Sequence, residues 1–179
     1  MKDSFHVTHY YVSLLEIAAS TMYNMAKTNA LRMLDQAKIP YILHTYADTT
    51  DGEEVARRVG LNPEKVFKTL VTVANTKEHF VFMVPVCNEL DLKKAAKTAG
   101  VKEIKMIKQA ELLPLTGYVH GGCSPIGMKK SLRTFIDETA KSHDKIACSA
   151  GKIGMQIEIE LNNLSKLVKF ELGNFRTDK

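Results

Sequence analysis

The sequence is poor in cysteine, has no tryptophan and has no long apolar run. Its three cysteines, Cys87, Cys123 and Cys148, are widely spaced and form no C-x-x-C pair, which argues against a disulfide framework and a structural zinc site. No two of the six histidines lie four residues apart on a predicted helix. No apolar stretch approaches the roughly 20 residues needed to cross a bilayer. We therefore expect a protein of the reducing cytoplasm with no metal, no cofactor and no membrane partner.

The usual signatures of an activated nucleophile are also missing. The sequence shows no Ser-His-Asp order and no paired-carboxylate motif. Cys123 follows His120 by three residues, but a catalytic cysteine and its base usually come from distant chain segments. A nucleophilic Cys123 is therefore only a minor alternative.

Length and composition fit one globular domain. The 179 residues are 45% hydrophobic and 25% charged, and the net charge is +5 with a pI of about 9.0. This charge is compatible with a polyanionic partner, although it is at the weak end of the range for nucleic-acid binders. Two groups of basic residues could face phosphates, although a solvated helix or strand face explains each equally well: Lys93, Lys94, Lys97, Lys102, Lys105 and Lys108, and then Lys129, Lys130 and Arg133.

The first residues are interpreted as an extension of the domain. Residues 1–24 contain a short apolar patch that Glu16 interrupts, and they lack the clean apolar core and basic start of a secretory signal. Met25 opens a polar lead into an amphipathic helix. We expect the native start at Met25 and one domain over residues 25–179, with residues 1–24 outside its core.

The order of predicted elements favours an α+β fold. Thr28 begins a helix that Pro40 ends, and Asp91 begins another that stops at Gly100. Short patterns predict a helix at 53–59, a last helix at 162–168, a hairpin of 66–73 with 80–86, and strands at 41–46, 103–107, 118–120, 133–136, 145–148 and 155–160. Strands outnumber helices and do not alternate with them regularly. This order predicts a single domain with a curved, mixed β-sheet.

Lys68 breaks the apolar pattern of its strand. It shares a strand face with Leu70 and Thr72, while Phe67 and Val71 lie on the other face. Such a lysine either reaches solvent past the end of the sheet or points into a pocket, and the strand alone favours the first explanation. Because breaks in local pattern are expected at functional sites, Lys68 is a candidate site residue.

A glycine-rich loop is the second candidate feature. Residues 121–127 read Gly-Gly-Cys-Ser-Pro-Ile-Gly. Glycines allow a ligand to approach the backbone and can present N–H groups to a developing oxyanion, although a structural turn is the plain alternative. The spacing differs from that of a phosphate-binding loop of the NTPase type.

Several segments together resemble one protein family. The strand motif Phe67-Lys68-Thr69-Leu70 and the loop at 121–127 occur in one order with segments 38–46, 92–97 and 149–152. In this order and spacing the chain resembles the YbaK/EbsC family of aminoacyl-tRNA editing proteins, over about residues 25–172. It departs from the family pattern at Ala150, where relatives often have a glycine, and around Gln156, where some carry an acidic residue.

The resemblance implies both a fold and a reaction. The implied fold is a curved mixed sheet wrapped by helices. The implied activity is trans-editing, in which a cofactor-free deacylase removes a wrong amino acid from misacylated tRNA; members called YbaK act on Cys-tRNA(Pro), often beside prolyl-tRNA synthetase. In that chemistry the substrate thiol attacks its own ester and leaves as a cyclic thiolactone, which would explain the missing nucleophile. A second, hydrolytic selection step after aminoacylation is useful because cysteine and alanine are close to proline in size, so the synthetase pocket cannot reject them strongly.

The resemblance also assigns roles to individual positions. It implies that the catalytic groups are Lys68, at the ester or the terminal adenosine, and the backbone N–H groups of Gly121 and Gly122. The substrate-binding positions that it implies are Tyr46, Thr69, Ser124 and Pro125. The tRNA backbone would contact four lysines, Lys93, Lys94, Lys129 and Lys130. No DNA partner is expected.

Three alternatives remain open. The first is an editing enzyme for another small residue, such as alanine on tRNA(Pro), with water as the attacking group. The second is a tRNA-binding or synthetase-binding module that has lost catalysis. The third is a thiol enzyme that uses Cys123.

Overall fold

A computed structural model describes residues 27–47 and 49–177, so the predicted extension at residues 1–24 lies outside the described part. The predicted α+β class is confirmed. In chain order the elements are α1 (Asn29–Gln36), β1 (Ile42–Thr45), α2 (Gly52–Arg58), a 3-10 turn (Pro63–Lys65), β2 (Phe67–Ala74), β3 (His79–Pro85), α3 (Leu92–Ala99), β4 (Ile104–Met106), α4 (Gln109–Thr116), β5 (Arg133–Asp137), a second 3-10 turn (Glu138–Ser142), β6 (Ile146–Ser149), β7 (Met155–Ile159), α5 (Leu161–Leu164) and β8 (Phe170–Gly173).

The described strands form two sheets. The larger is mixed and has the order β4-β2-β3-β5-β8, with β4, β2 and β3 antiparallel and β3, β5 and β8 parallel. The smaller is antiparallel and has the order β1-β7-β6. An isolated parallel bridge between Val66 and Ala147 joins the two sheets at the start of β2. β2 is therefore the strand at which both sheets meet.

Capping residues fix the ends of the helices as the sequence predicts. The Thr28 hydroxyl accepts a hydrogen bond from the Leu31 N–H and donates one to the Ala150 carbonyl, so it also ties α1 to the smaller sheet. The Asp91 carboxylate accepts from the first N–H groups of α3. Gly100, at φ 74°, ends α3 in the left-handed conformation that glycine adopts without strain.

The core lies on both faces of the larger sheet. On one face, Met83 of β3 packs in a cluster with α1 and with β6 and β7 of the smaller sheet, through residues such as Leu31 and Ile157. On the other face α3 covers a group of aromatic rings, in which Phe82 stacks on Phe135 with ring centroids 5.0 Å apart. Each fully buried side chain of this size contributes roughly 1.5–3 kcal/mol through the hydrophobic effect, so the sheet is a rigid base for its edges.

The structure differs from the predicted elements in a few places. Residues 118–120 form no strand, because the Tyr118 N–H donates to the Thr116 hydroxyl and the Tyr118 hydroxyl donates to the Ile126 carbonyl at 2.6 Å. Helix α4 was not predicted, since it contains Pro114. Strand β8 was also not predicted, and the last helix spans Leu161–Leu164 only. No helix among the described residues combines the length and apolarity required to cross a membrane.

Candidate functional site

A cleft of about 360 Å³ opens along a free edge of β2. On this edge β2 is bridged to the smaller sheet at Val66 and paired with β4 from Thr72 onward. Between these two points the edge has no neighbouring strand among the described residues, and Phe67, Lys68, Thr69 and Leu70 all line the cleft. We call this space the β2 cleft. Consecutive residues of one strand can line it because it lies at the strand's edge rather than on one face.

Lys68 lies at the opening of the β2 cleft. Its side chain is one-quarter exposed, and its Nζ is 2.8 Å from Oε1 of Glu89, a largely exposed residue that also lines the cleft. The backbone of Glu89 is held by Thr177, whose N–H donates to the Glu89 carbonyl at 2.8 Å. The lysine therefore points into the cleft and is paired with a carboxylate that a ligand can replace.

Two buried polar atoms in the β2 cleft have no hydrogen-bond partner among the described residues. They are the hydroxyl oxygen of Thr69, next to Lys68, and the side-chain amide oxygen of Gln156, on β7. Gln156 is 7% exposed. Leaving such a group unpaired costs about 1–3 kcal/mol, so both atoms indicate a place that a bound molecule completes.

The glycine loop contributes Gly121 to the wall of the cleft. Gly121 has φ 78°, and a Cβ there would collide with the Thr50 side chain. Its N–H has no hydrogen-bond partner in the described part of the chain, so it remains available to a ligand. The N–H of Gly122, by contrast, donates to the Val119 carbonyl at 3.0 Å, and Gly122 does not line the cleft. The predicted pair of free N–H donors is therefore reduced to Gly121.

Tyr46 lines the cleft as predicted, but two other predicted positions lie elsewhere. The Ser124 hydroxyl is fully buried and accepts from the Ile126 N–H, so it shapes the loop. Pro125 lines a separate, more open groove of about 600 Å³ that also contains Lys130. The structure thus brings together Tyr46, Lys68, Thr69 and Gly121.

The four lysines predicted to contact tRNA lie outside the cleft. Lys93 and Lys94 are in the first turn of α3, and the Lys94 Nζ donates to the Arg176 carbonyl at 3.1 Å. Lys129 and Lys130 are exposed beyond the glycine loop. The first pair therefore follows Glu89 closely in the chain, whereas the second pair lies beyond Gly127.

Cys123 lines the cleft without the features of a nucleophile. It is 7% exposed, and burial raises the pKa of its thiol to about 12, although a hydrogen bond with Thr116 lowers it somewhat. A thiol with this pKa carries almost no thiolate at neutral pH. His120 also lines the cleft but is exposed. These observations disfavour the thiol-enzyme alternative.

Sequence reasoning did not identify Glu89 or Gln156 as site residues. Gln156 lies in an alternating strand, where a polar residue usually faces solvent, and the sequence marks it only as a departure from the family pattern. Its neighbour Glu158 is also buried and accepts from Lys65 at 2.6 Å and from His44 at 3.0 Å, so the polar face of β7 is turned inward. The inward orientation of Gln156 and Glu158 is evident only from the packing of β1 and of the 3-10 turn at Pro63–Lys65 against β7.

The arrangement provides electrostatic groups rather than a nucleophile. Lys68 supplies a positive charge, Gly121 a backbone donor, and Thr69 and Gln156 supply neutral hydrogen-bonding groups. The described residues contain no cluster of three or more His, Cys, Asp or Glu side chains that could hold a metal ion. Groups of this kind stabilise charge that develops on a carbonyl oxygen.

Comparison with known proteins identifies a matching family and several similar proteins. The family model described as aminoacyl-tRNA editing domain matches residues 46–167, which include every described residue assigned above to the cleft. The chain is 43% identical over 154 residues to EbsC of Enterococcus faecalis, described as a Cys-tRNA(Pro)/Cys-tRNA(Cys) deacylase, and the match covers 84% of this chain and 94% of EbsC.

More distant matches agree with this one. The proline–tRNA ligase of Cupriavidus necator is 24% identical over 133 residues, which span 71% of this chain and 23% of the ligase. Among solved structures, one described as a trans-editing enzyme for prolyl-tRNA synthetase superposes with a TM-score of 0.74 at 23% identity, covering 85% of this chain and 99% of that one. At this identity the superposition shows a shared fold.

Proposed function

Because this chain belongs to the aminoacyl-tRNA editing domain family, we propose that it is a trans-editing deacylase that removes cysteine from Cys-tRNA(Pro). The observation that carries the proposal is the β2 cleft, where Lys68 and the free N–H of Gly121 share one space with no activated nucleophile. A site with charge-stabilising groups and no nucleophile suits a substrate that brings its own.

The chemistry follows from these groups. The cysteine thiol of the substrate attacks its own ester carbonyl, a C–S bond forms, and the C–O bond to the ribose breaks. The thiol proton passes to the ribose oxygen, so the products are tRNA and a cyclic thiolactone. The Lys68 ammonium and the Gly121 N–H stabilise the negative charge on the carbonyl oxygen while this occurs. Tyr46 also lines the cleft and helps to hold the reacting geometry.

Thr69 and Gln156 bind the amino-acid part of the substrate in this proposal. The amide oxygen of Gln156 accepts a hydrogen bond, so it suits a donor such as the substrate's α-amino group. The Thr69 hydroxyl donates or accepts beside Lys68. Both buried groups thereby gain the partner that they lack in the free protein, and this gain favours a correctly placed substrate.

Glu89 has a different role from these two residues. Its carboxylate neutralises Lys68 in the free protein, and the substrate's oxygen atoms take that place on binding. Because Glu89 is largely exposed, its release into solvent costs little. Lys68 is therefore held in position until the ester arrives.

The proposed partners are misacylated tRNA and, by analogy with the relatives, prolyl-tRNA synthetase, in the cytoplasm. The tRNA backbone is proposed to contact lysines outside the cleft, from the predicted set Lys93, Lys94, Lys129 and Lys130. The Ser124–Pro125 dipeptide supports the loop that carries Gly121, because the Ser124 hydroxyl accepts a hydrogen bond from the Ile126 N–H.

The test compares the deacylation of Cys-tRNA(Pro), Ser-tRNA(Pro) and Ala-tRNA(Pro) by the wild type, by Lys68→Ala and by Lys141→Ala. Lys141 is an exposed lysine on the second 3-10 turn and serves as the matched control. We expect rapid loss of the cysteinyl ester only, a decrease of about 100-fold or more in Lys68→Ala, in line with the loss of one oxyanion-stabilising group, and no change in Lys141→Ala.

Other outcomes point to the alternatives. Equal cleavage of the alanyl ester would show that water attacks, because alanine has no thiol. Cleavage of none of the three esters above the rate without protein would contradict the proposal and favour a non-catalytic binding module.

A further inference from the structure

The positive charge of the chain is concentrated in one segment. Residues 93–108 contain six lysines and one glutamate, a surplus of five positive charges. This surplus equals the net charge of +5 of the whole chain, so the acidic and basic residues outside the segment balance. A charge gathered in this way is typical of a surface that contacts a polyanion.

The structure places these lysines on the outside of α3 and around β4. The apolar side of α3, with Ala95, Ala96 and Ala99, packs against the sheet. Five lysines of the segment are exposed and have no ion-pair partner among the residues that the structure describes. We call these five the lysine face: Lys93, Lys97, Lys102, Lys105 and Lys108.

The lysine face borders the β2 cleft. β4 pairs with β2 from Thr72 onward, which is where the open edge of the cleft ends. Thr72 lies four residue steps along the strand from Lys68, a distance of about 13 Å. Leu70 lines the cleft and packs against the cluster under α3, and Leu112, on the helix that follows Lys108, also lines the cleft.

We infer that the lysine face is the docking surface for the acceptor arm of tRNA, whose single-stranded 3′ end then reaches the β2 cleft. The inference rests on the proposed function and adds the direction from which the substrate arrives. Unpaired lysines bind the phosphate backbone by charge and without reading its sequence, and binding of this kind weakens steeply with salt. Lys129 and Lys130 are not part of this surface, since they lie beyond the glycine loop and Lys130 lines a separate groove.

Protection of the sheet edge is the other explanation for lysines at β4. β4 is an edge strand, and a charged residue such as Lys105 discourages pairing with a second chain. This explanation does not extend to Lys93 and Lys97, which lie on α3. It therefore accounts for part of the lysine face only.

The test measures the affinity for uncharged tRNA, so that its result does not depend on catalysis. The variant Lys97→Glu/Lys105→Glu is compared with Lys141→Glu/Lys169→Glu, which changes the net charge equally at exposed positions outside the lysine face. We expect the Kd of the first variant to rise tenfold or more at about 0.1 M salt, and its log–log salt slope to fall by about two. The control should stay within about twofold of the wild type, because its lysines are proposed to make no phosphate contact.

A small substrate separates docking from chemistry. Cysteinyl-adenosine lacks the acceptor arm, so the lysine-face variant should cleave it at the wild-type rate while its KM for Cys-tRNA(Pro) rises. If the wild type binds tRNA through these lysines and cleaves neither substrate, the proposed function fails and the docking surface stands.

Three results would overturn the docking surface. One is an equal loss of affinity in both double variants, which would show a general charge effect. Another is a larger loss in Lys129→Glu/Lys130→Glu than in the lysine-face variant. The third is wild-type affinity in a lysine-face variant that elutes as an aggregate, which would assign these lysines to edge protection.

Discussion

At the scale of residues, two of the three buried side-chain polar atoms that lack a hydrogen-bond partner among the described residues lie in the β2 cleft, whereas the third, Oδ2 of Asp137, lies outside it. Thr69 and Gln156 hold polar atoms that are buried and unpaired, although each residue would be ordinary in another place. Natural proteins keep few such atoms because each lowers the free energy of unfolding. Their presence in the cleft that also contains Lys68 indicates that stability has been exchanged for binding at this point.

This exchange predicts opposite effects on stability and activity. Thr69→Val and Gln156→Met remove the unpaired atoms with little change of volume, so the free energy of unfolding should stay the same or rise by about 1–3 kcal/mol. Deacylation of Cys-tRNA(Pro) should fall about tenfold or more, since one substrate hydrogen bond of about 1.4 kcal/mol is lost. Thermal unfolding and single-turnover rates on the same samples measure both effects.

Thr134→Val is the matched control for these variants. The Thr134 hydroxyl is buried but donates to the Leu132 carbonyl at 3.1 Å, away from the cleft. This variant should lose stability and keep its activity. A loss of stability in Thr69→Val as large as that in Thr134→Val would contradict the interpretation.

The sequence reveals some site residues and hides others for a physical reason. Lys68 is visible because a charge interrupts an apolar strand, whatever lies opposite. Gln156 follows the normal alternation of a strand, so its burial depends on elements that are distant in the chain. The free N–H of Gly121 and the occupied N–H of Gly122 differ only in how the loop turns, which residue type does not determine.

At the scale of elements, one carboxylate on the strand that carries Gln156 holds three segments together. Glu158, on β7, accepts from Lys65, which ends a 3-10 turn, and from His44, on β1. Burial alone would raise the pKa of Glu158, but the hydrogen bonds and charges of Lys65 and His44 outweigh burial and lower the pKa below the ordinary value of 4.5. Because Gln156 lies two residues away on the same strand face, this network also holds in place the strand that carries Gln156.

Glu158→Gln should therefore destabilise the protein in a pH-dependent way. A carboxylate whose pKa is lower in the folded state stabilises that state above its unfolded pKa, and this contribution disappears as the pH falls through the folded value. We expect the variant to lose about 1–3 kcal/mol at pH 7 and the difference from the wild type to shrink below about pH 4. Urea unfolding of both proteins between pH 3 and pH 7 measures this difference in the free energy of unfolding.

The control for this measurement is Glu54→Gln. Glu54 is paired with Arg57 and Arg58 on the solvent side of one helix, where solvent screens the interaction. A pH profile of Glu158→Gln parallel to that of the wild type would show that Glu158 does not carry the expected linkage.

Short sequence motifs predict where a helix begins or ends better than they predict which strands pair with each other. Thr28 and Asp91 begin their helices and Gly100 ends one, as predicted, because capping depends on neighbours in the chain. The strand predicted at 118–120 is absent because Tyr118 uses its backbone and side chain to close the glycine loop. The arrangement of the strands in two sheets, bridged at Val66, depends on contacts between distant segments that no local pattern predicts.

For the whole molecule, the last described segment connects the aromatic core to the loop that carries Glu89. Phe175 is fully buried, with its ring edge-on to Phe82 at 5.0 Å. Its carbonyl accepts from the Asp91 N–H, and Thr177 holds the backbone of Glu89. The chain's final residues in the described part thus join the aromatic core to the loop that pairs with Lys68.

Phe175→Ala should lower the free energy of unfolding by about 3–5 kcal/mol, the usual cost of removing a buried phenylalanine ring. Leu113→Ala, at a leucine that is 49% exposed, should change it by less than about 0.5 kcal/mol. Chemical unfolding of both variants gives the comparison. Similar values for the two would show that the segment around Phe175 contributes little to the core.

The concentration of lysines also makes the molecule an electric dipole. With the remaining charges balanced, the positive pole lies beside the mouth of the cleft. A polyanion diffusing nearby experiences a torque that turns the protein before the two touch, so a larger share of collisions begins in a productive orientation. Because the screening length is about 8 Å at physiological ionic strength, this alignment acts only over the last steps of the approach. Every other RNA in the cell is attracted to the same pole, so the discrimination between misacylated tRNA and other RNAs depends on how quickly each one dissociates.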